Sequence, residues 1–331
     1  MTSVNRQLTV GVPQGSVLGP LLFILFVNDM CYLKTESKMT LFADDTTISM
    51  FGKKHEDIVS IIEKDLTLIC DWLKHNRLII NVNKTKAMYF SHLLRKSKTH
   101  KEAIKNLKIS CNDSCIEFTD EIKILGFIID KDLKFGAQVD NICRKANSKT
   151  FLLRKSLYLF CDNFKPNLFK IFILPHFDYC STLVMHLSNT YYKKRLNLCY
   201  IKSIKRLLKL SNFSIFSDLN SQFTILQNYN ILPLFYRHFF RYCTFLFNVL
   251  KNNNTILCTY FVKNNNQTRS DFVLPKFNTN FKKYSFSVIS CNLLNGFISN
   301  CFKDNLSIFS FKKFLNADIA RRYDASVRFW S

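Results

Sequence analysis

Met39-Thr40-Leu41-Phe42-Ala43-Asp44-Asp45-Thr46-Thr47-Ile48-Ser49-Met50-Phe51 is the stretch on which the reading of this chain turns. Apolar and β-branched residues on both sides of Asp44-Asp45 predict two short strands meeting at the acidic pair. Two neighbouring aspartates at the tip of a hairpin have no hydrophobic reason to be there. Their mutual repulsion is relieved if a divalent cation sits between them. Hard cations such as Mg²⁺ take carboxylate oxygens together with substrate phosphates. Paired ions of this kind clamp the attacking and leaving oxygens of a phosphoryl transfer. An isolated Asp-Asp dipeptide is more often a solvated turn, so its neighbours decide the reading.

Those neighbours form ordered blocks. Upstream lies Gly11-Val12-Pro13-Gln14-Gly15-Ser16-Val17-Leu18-Gly19-Pro20-Leu21-Leu22-Phe23, then Phe26-Val27-Asn28-Asp29. Downstream come Trp72-Leu73, Leu78-Ile79-Ile80-Asn81-Val82-Asn83-Lys84-Thr85-Lys86, and Ile124-Leu125-Gly126-Phe127-Ile128-Ile129-Asp130. In this order and spacing the blocks closely resemble the reverse transcriptases of jockey-like, non-long-terminal-repeat retrotransposons. The resemblance is specific over residues 10–135 and looser to the C-terminus, where Leu294-Asn295 stands at a Trp-Asn position of the family.

The resemblance implies an α+β fold: a partial polymerase palm, an antiparallel sheet with packed helices, followed by a mainly α-helical thumb and C-terminal region. It divides the chain into a palm segment (1–135), a helical thumb-like segment (136–250) and a tail (251–331). It implies that Asp44 and Asp45 are catalytic metal ligands, with Phe42 at the family's aromatic position and Ala43 beside the template. Pro13, Gln14 and Gly15 match the template-gripping loop, and Leu125, Gly126 and Phe127 the primer grip. Lys84 stands where a lysine approaches the triphosphate; the alternative, that Lys84 and Lys86 are solvated turn lysines, stays open. The cofactor implied is Mg²⁺, with Mn²⁺ as its substitute. The partners implied are an RNA template (the element's own RNA among the candidates), a DNA primer and deoxynucleotides.

Bulk properties bound the rest. The chain has 331 residues, enough for two or three domains with a core. Hydrophobic residues make up 47%, which argues against disorder. Lys and Arg number 47 against 24 Asp and Glu, giving +23 and pointing to a polyanionic partner, most simply nucleic acid. An AT-rich coding sequence would produce the same abundance of Lys, Asn, Phe and Ile without selection for charge. The 12 cysteines form no Cys-x-x-Cys and read as reduced thiols of a cytosolic or nuclear protein. No secretory leader is recognisable, so the expected location is nuclear or cytoplasmic, not secreted.

Taken in order, Ser16 is placed to cap a helix through Leu21, Leu22, Leu25 and Phe26. Ile58, Ile62, Leu66, Ile69 and Leu73 predict an amphipathic helix over 56–76 that packs on a sheet. Residues 78–90 read as strand, turn and strand; 91–106 as a basic loop or short helix; 104–110 and 116–118 as short strands. Val139, Ile142, Ala146, Leu152 and Leu153 line one side of a helix after residue 136. Residues 191–210 form a basic amphipathic helix with no acid, on which Lys193, Lys194, Arg195, Lys202, Lys205 and Arg206 are candidates for the nucleic-acid backbone. Such a helix can also lie on a membrane, but phosphate contact is favoured. Tyr191, Tyr192 and Tyr200 suit either base stacking or the core. Val17–Val27 is too short to span a bilayer, and Ile231–Leu250 carries Arg237, His238 and Arg241 near its centre, each costly in lipid. Both are expected as buried helices, with no membrane partner.

Function follows from these expectations. By resemblance the mechanism needs three carboxylates, and the third belongs on a strand before Gln7. The chain is therefore expected to be a reverse transcriptase fragment with Mg²⁺-dependent nucleotidyl transfer as its family chemistry. It is expected to be inactive alone, for want of the fingers and the first palm aspartate. The alternatives are a non-catalytic nucleic-acid-binding remnant of the element and an open reading frame with no stable fold.

Overall fold

The computed structural model describes residues 11–12, 15–90, 107–111, 114–184, 190–210, 219–252, 257–258, 261, 272–276, 285–295 and 307–321. The expectations on Pro13, Gln14 and the basic run 91–106 lie outside the described residues. The fold mixes helices with small sheets and falls into two compact units, residues 1–122 and 123–331.

In the first unit, helix α1 (Gly19–Val27) is followed by a 3₁₀ turn over Asn28–Tyr32. The N-cap of α1 is Leu18, which offers no side-chain cap; Ser16, expected there, stands two residues earlier, and its Oγ accepts the Gly19 N–H at 3.1 Å. Burial goes the other way from the expectation. Leu21, Leu22, Ile24, Leu25 and Phe26 are all exposed, Leu25 to 61%. Apolar residues occupy every side of α1, so one packing partner could not cover them all, and only Gly19 is buried.

Strands β1 (Lys38–Phe42) and β2 (Asp45–Ser49) form the predicted hairpin. Helix α2 (His55–His75) carries Glu56 and Asp57 in its first turn and Lys74 and His75 in its last, each favoured by the helix dipole there. Its apolar stripe buries Leu66 and Ile69 as the periodicity predicts, with Cys70 beside them, while Ile58, Ile62 and Leu73 are half-buried. Leu66 and Cys70 meet Ile109, Cys111 and Ile116 in a small core. Full burial stabilises a Leu or Ile by about 1.5–3 kcal/mol, so this core is modest. The sheet beneath differs from the antiparallel expectation. β5 (Ser114–Phe118) is antiparallel to β4 (Ile109–Cys111) but parallel to β3 (Lys86–Ala87). Residues 78–80 are not a strand; only Lys86–Ala87 of the 78–90 stretch pairs.

The second unit takes in the hairpin β6 (Glu121–Ile124) and β7 (Phe127–Asp130) apart from the first residues of β6, so the division falls before the boundary expected at 135/136. The reason is local bonding. Asp130 accepts the N–H groups of Asp132 and Lys134 at 3.1 and 2.9 Å, fixing the turn into helix α3 (Gly136–Lys155). Gln138 Oε1 in α3 accepts the Ile128 N–H at 3.1 Å. Val139, Ile142 and Ala146 of α3 are buried as predicted, whereas Leu152 is 59% exposed.

A helical run α4 (Lys165–Asp178, with a π turn at Phe169–Ile173) and a short α5 (Ser181–Val184) lead to α6 (Thr190–Leu208). Tyr200 of α6 sits at the centre, edge-to-face with Phe169 and Phe177, its hydroxyl donating to Leu232 O at 2.6 Å. That settles its role as core. α7 (Leu219–Gln227) precedes α8 (Leu234–Lys251), the second apolar run. α8 is buried as expected, and its polar residues have partners: Arg237 forks onto Asp178 with both contacts at 2.6 Å, and His238 Nε2 donates to Phe177 O at 3.0 Å. A second cluster joins α8 to α9 (Phe286–Leu293) and α10 (Ile308–Arg321) through stacked Phe247 and Phe311. Asn295 exchanges two hydrogen bonds with the Phe272 backbone, at 2.9 and 2.8 Å. Among the described residues no helix is long and apolar enough to cross a membrane.

Candidate functional site

Phe42 pairs with Asp45 at the end of the β1–β2 ladder, leaving Ala43 and Asp44 as a two-residue loop. Such loops ask for positive φ at their first position, which glycine usually supplies. Here Ala43 takes it, at φ 52°. An L-residue in that region carries a cost of about 1–2 kcal/mol, and local strain of this kind collects at functional sites. Asp44 and Asp45 are both exposed, and neither carboxylate has a hydrogen-bond or ion-pair partner among the described residues. Their carboxylates are thus adjacent, un-neutralised and open to solvent, which suits an oxygen-ligand site for a hard cation. The fit is incomplete: among the described residues no group of three or more His, Cys, Asp or Glu is arranged around a metal position. Phe42 is 62% exposed, an apolar face beside the pair.

The base of β1 is held by a residue that the sequence reading passed over. Asp65 of α2 is only 1% exposed, and its two oxygens accept the N–H groups of Glu36 and Ser37 at 3.1 and 2.7 Å, just ahead of Lys38. The signal was present: Asp65 follows Ile62 by three residues, on the apolar stripe of α2, where an acid needs a reason.

Lys84 sits in a turn whose N–H groups at 84 and 85 both donate to Asn81 O at 3.1 Å. It is exposed with no acid partner among the described residues, whereas Lys86 lies 3.9 Å from Glu117. Gly15 has φ 89° and open space where a Cβ would stand, so backbone conformation accounts for the glycine.

The turn of the β6–β7 hairpin is Leu125-Gly126, with φ 47° and 85°. Tyr179 donates its hydroxyl to the Leu125 carbonyl, and a Cβ on Gly126 would stand 3.8 Å from that hydroxyl. Leu125 is 43% exposed, but Phe127 is 3% exposed and packs edge-to-face on Phe135. Of the three primer-grip candidates, Phe127 is therefore a core residue, since strand alternation turns it inward. A cavity of about 250 Å³ opens beside this turn, with Lys145 and His176 on its wall. Burial and the charges of Lys145 and Lys149 lower the His176 pKa.

On α6 the six backbone candidates separate by exposure. Lys194, Lys202 and Arg206 are exposed at helical spacing on one side. Arg195 is exposed but lies 2.6 Å from Asp140. Lys193 is half-buried, with its pKa lowered by that burial. Lys205 is 7% exposed and belongs to the interior, a correction that follows from its place among Tyr200, Ile201, Ile204 and Leu207. Tyr191 is 60% exposed and rests edge-to-face against Tyr192.

The model of the family "Reverse transcriptase (RNA-dependent DNA polymerase)" matches residues 2–129. Relatives include the probable RNA-directed DNA polymerase from transposon X-element of Drosophila melanogaster, 26% identical over 185 residues, which are 54% of this chain and 19% of that protein. The RNA-directed DNA polymerase from mobile element jockey of the same species is 25% identical over 222 residues, 62% of this chain and 22% of the other. The probable RNA-directed DNA polymerase from its transposon BS is 27% identical over 159 residues, 46% and 17% of the two chains. The chain thus spans about a fifth of the length of the curated relatives it matches. No solved structure matches it significantly. The hairpin with its paired aspartates lies inside the segment that matches the reverse transcriptase family, and the relatives this chain is similar to are RNA-directed DNA polymerases of jockey-like, non-long-terminal-repeat retrotransposons.

Proposed function

We propose that the Ala43–Asp45 tip is the metal-holding centre of an RNA-directed DNA polymerase palm, and that the second unit supplies thumb and tail. The observation that supports this reading is the pair of exposed, partnerless carboxylates on a tight two-residue loop. Asp44 and Asp45 would hold Mg²⁺, or Mn²⁺ in its place, which stabilises charge on attacking and leaving oxygens when bound. The protein's own contribution is placement. Left-handed Ala43 sets the loop, and Asp65 fixes the strand behind it. Lys84 offers an unpaired ammonium for phosphate charge, and Leu125-Gly126, locked by Tyr179, forms a stiff ledge for a primer end. RNA template, DNA primer and deoxynucleotides are the corresponding partners.

Two carboxylates hold a hard cation weakly, so primer extension on an RNA template is expected to stay near background for the 331-residue chain. The deciding experiment is Mn²⁺ binding followed by electron paramagnetic resonance. Asp44→Asn and Asp45→Asn should each weaken binding by about tenfold, as loss of a charged ligand does. Equal binding by wild type and both variants would refute the assignment.

A second reading has its own support in the exposed stripe Lys194, Lys202 and Arg206: a nucleic-acid-binding remnant without catalysis. It requires salt-sensitive binding to RNA or hybrid duplex that Asp44→Asn leaves intact.

A further inference from the structure

The second unit contains a cavity that neither the hairpin nor the α6 stripe uses. About 390 Å³ in volume, it lies between the start of α5, the middle of α8 and α10. That volume is within the range of small-molecule pockets, roughly 300–1,000 Å³. Its wall is basic: Arg241 comes from α8 and Lys312 from α10. Asp178, the only carboxylate among the described lining residues, is held by the Arg237 fork with both contacts at 2.6 Å. Arg241 reaches the same carboxylate at 3.6 Å, so one carboxylate is shared by two guanidiniums and the group keeps a net positive charge. Its Nε donates to Ser181 Oγ at 3.1 Å, which fixes the plane of the guanidinium. Lys312 is exposed with no acid partner among the described residues. Cys180, also on the wall, stays a neutral thiol because burial pushes its pKa up. Phe240 and Phe245 complete the lining with aromatic surface.

An oriented guanidinium and a mobile ammonium on facing helices match the oxygens of a phosphate ester, the first as a fork and the second as a point charge. Aromatic rings beside such a pair suit a base, since every base has a face on which to stack. We propose that this cavity binds one nucleotide unit, its phosphate on Arg241 and Lys312 and its base against Phe240 and Phe245. The unit could come from a free nucleotide or from a single strand, and the site is independent of the Asp44–Asp45 centre.

Equilibrium binding of AMP, ribose 5-phosphate and a fluorescein-labelled ten-nucleotide RNA to the full chain at low salt tests this. AMP should bind about tenfold more tightly than ribose 5-phosphate, because stacking adds to the phosphate contact. Lys312→Glu should weaken AMP and RNA by about tenfold. Lys313→Glu, an equal charge change at an exposed neighbour that does not line the cavity, should change neither by more than about twofold. Arg241→Lys, with folding checked by circular dichroism, should follow Lys312→Glu. RNA binding that depends on Lys312, with AMP unable to compete, assigns the site to a strand; full competition by AMP assigns it to free nucleotide as well. Equal losses in Lys312→Glu and Lys313→Glu would reduce the effect to general charge and overturn the proposal. So would AMP no tighter than ribose 5-phosphate, or displacement by polyglutamate as effective as by RNA. Asp44→Asn should leave every one of these affinities unchanged, so that failure here and failure of the palm assignment are read separately.

Discussion

At the scale of single residues, the loop carrying the aspartates is set by Ala43, whose left-handed φ of 52° is unusual for a residue with a side chain. Glycine there should relieve a strain of about 1–2 kcal/mol, offset by an unfolded-chain entropy of about 0.4–1 kcal/mol, leaving a small gain. Valine, β-branched, should do worse than alanine. The expected order of stability in urea unfolding is therefore Gly, then Ala, then Val, and a Val variant as stable as wild type would contradict the backbone assignment. Asp65 makes a sharper case. Asp65→Asn replaces one acceptor by a donor facing the Ser37 or Glu36 N–H, and a buried unsatisfied group costs about 1–3 kcal/mol. The first unit should unfold at correspondingly lower urea, whereas Lys64→Ala, which removes an exposed pair with Glu36, should leave the midpoint unmoved. The acidic pair was legible in the sequence because strand-forming residues flank it closely. Ala43 was not, since alanine carries no turn signal. Tyr179 was not, since its bond to Leu125 spans 54 residues, and side-chain reach over that separation is decided by packing.

At the scale of elements, periodicity found the helices but could not say what covers them. The stripe on α2 was read correctly because it has one apolar side, and that side meets β4 and β5. α1 is apolar all round, and the inference that it is buried fails, because hydrophobicity states a preference and not a partner. The parallel pairing of β3 with β5 was likewise out of reach, since two residues, Lys86 and Ala87, carry it. The difference has a measurable consequence. Leu21→Glu and Leu25→Glu remove little burial in this chain, so each should shift stability by no more than about 0.5 kcal/mol and raise solubility. Leu66→Ala, from a side chain 4% exposed, should cost about 2–5 kcal/mol. A large loss from either glutamate variant, read by thermal melting, would show that α1 packs against something after all. On α6 the same distinction sorts the lysines. Lys194→Gln, Lys202→Gln and Arg206→Gln should each weaken RNA binding and lower the steepness of its salt dependence. Lys205→Gln should act on the stability of the helix packing instead, because that side chain is inside.

At the scale of the whole molecule, charge and buried histidine act in the same direction as pH falls. The chain carries +23 at neutral pH, and protonating its 7 histidines and 24 acids can only add to the self-repulsion. Buried histidine contributes more than repulsion. His238 is buried to 4% exposure between Asp178, Arg237 and Arg241, and burial pushes its pKa down to about 4 although the Phe177 carbonyl and Asp178 pull the other way. The unfolded chain takes up this proton near 6.5. Above that value neither state is protonated, and the stabilisation is fully present. Between about 6.5 and 4 the unfolded state binds the proton and the folded state does not, so stability falls as pH falls; below about 4 the loss levels off. His176, lowered by burial and by Lys145 and Lys149, acts with the same sign. A depression from 6.5 to about 4 corresponds to about 3 kcal/mol, at about 1.4 kcal/mol per pKa unit. The repulsive part and the histidine part can be separated with salt. At 1 M salt the screening length is about 3 Å, which suppresses surface repulsion but leaves a buried imidazole untouched. Urea unfolding of the second unit at pH 7.5 and pH 4.5, each at low and high salt, should therefore show an acid loss that salt recovers only in part. His238→Gln, which keeps a donor for the Phe177 carbonyl and cannot titrate, should remove most of the unrecovered remainder. If 1 M salt restored wild-type stability completely, His238 would not be protonated in preference on unfolding, and the tight seating of α8 against the end of α4 would be wrong.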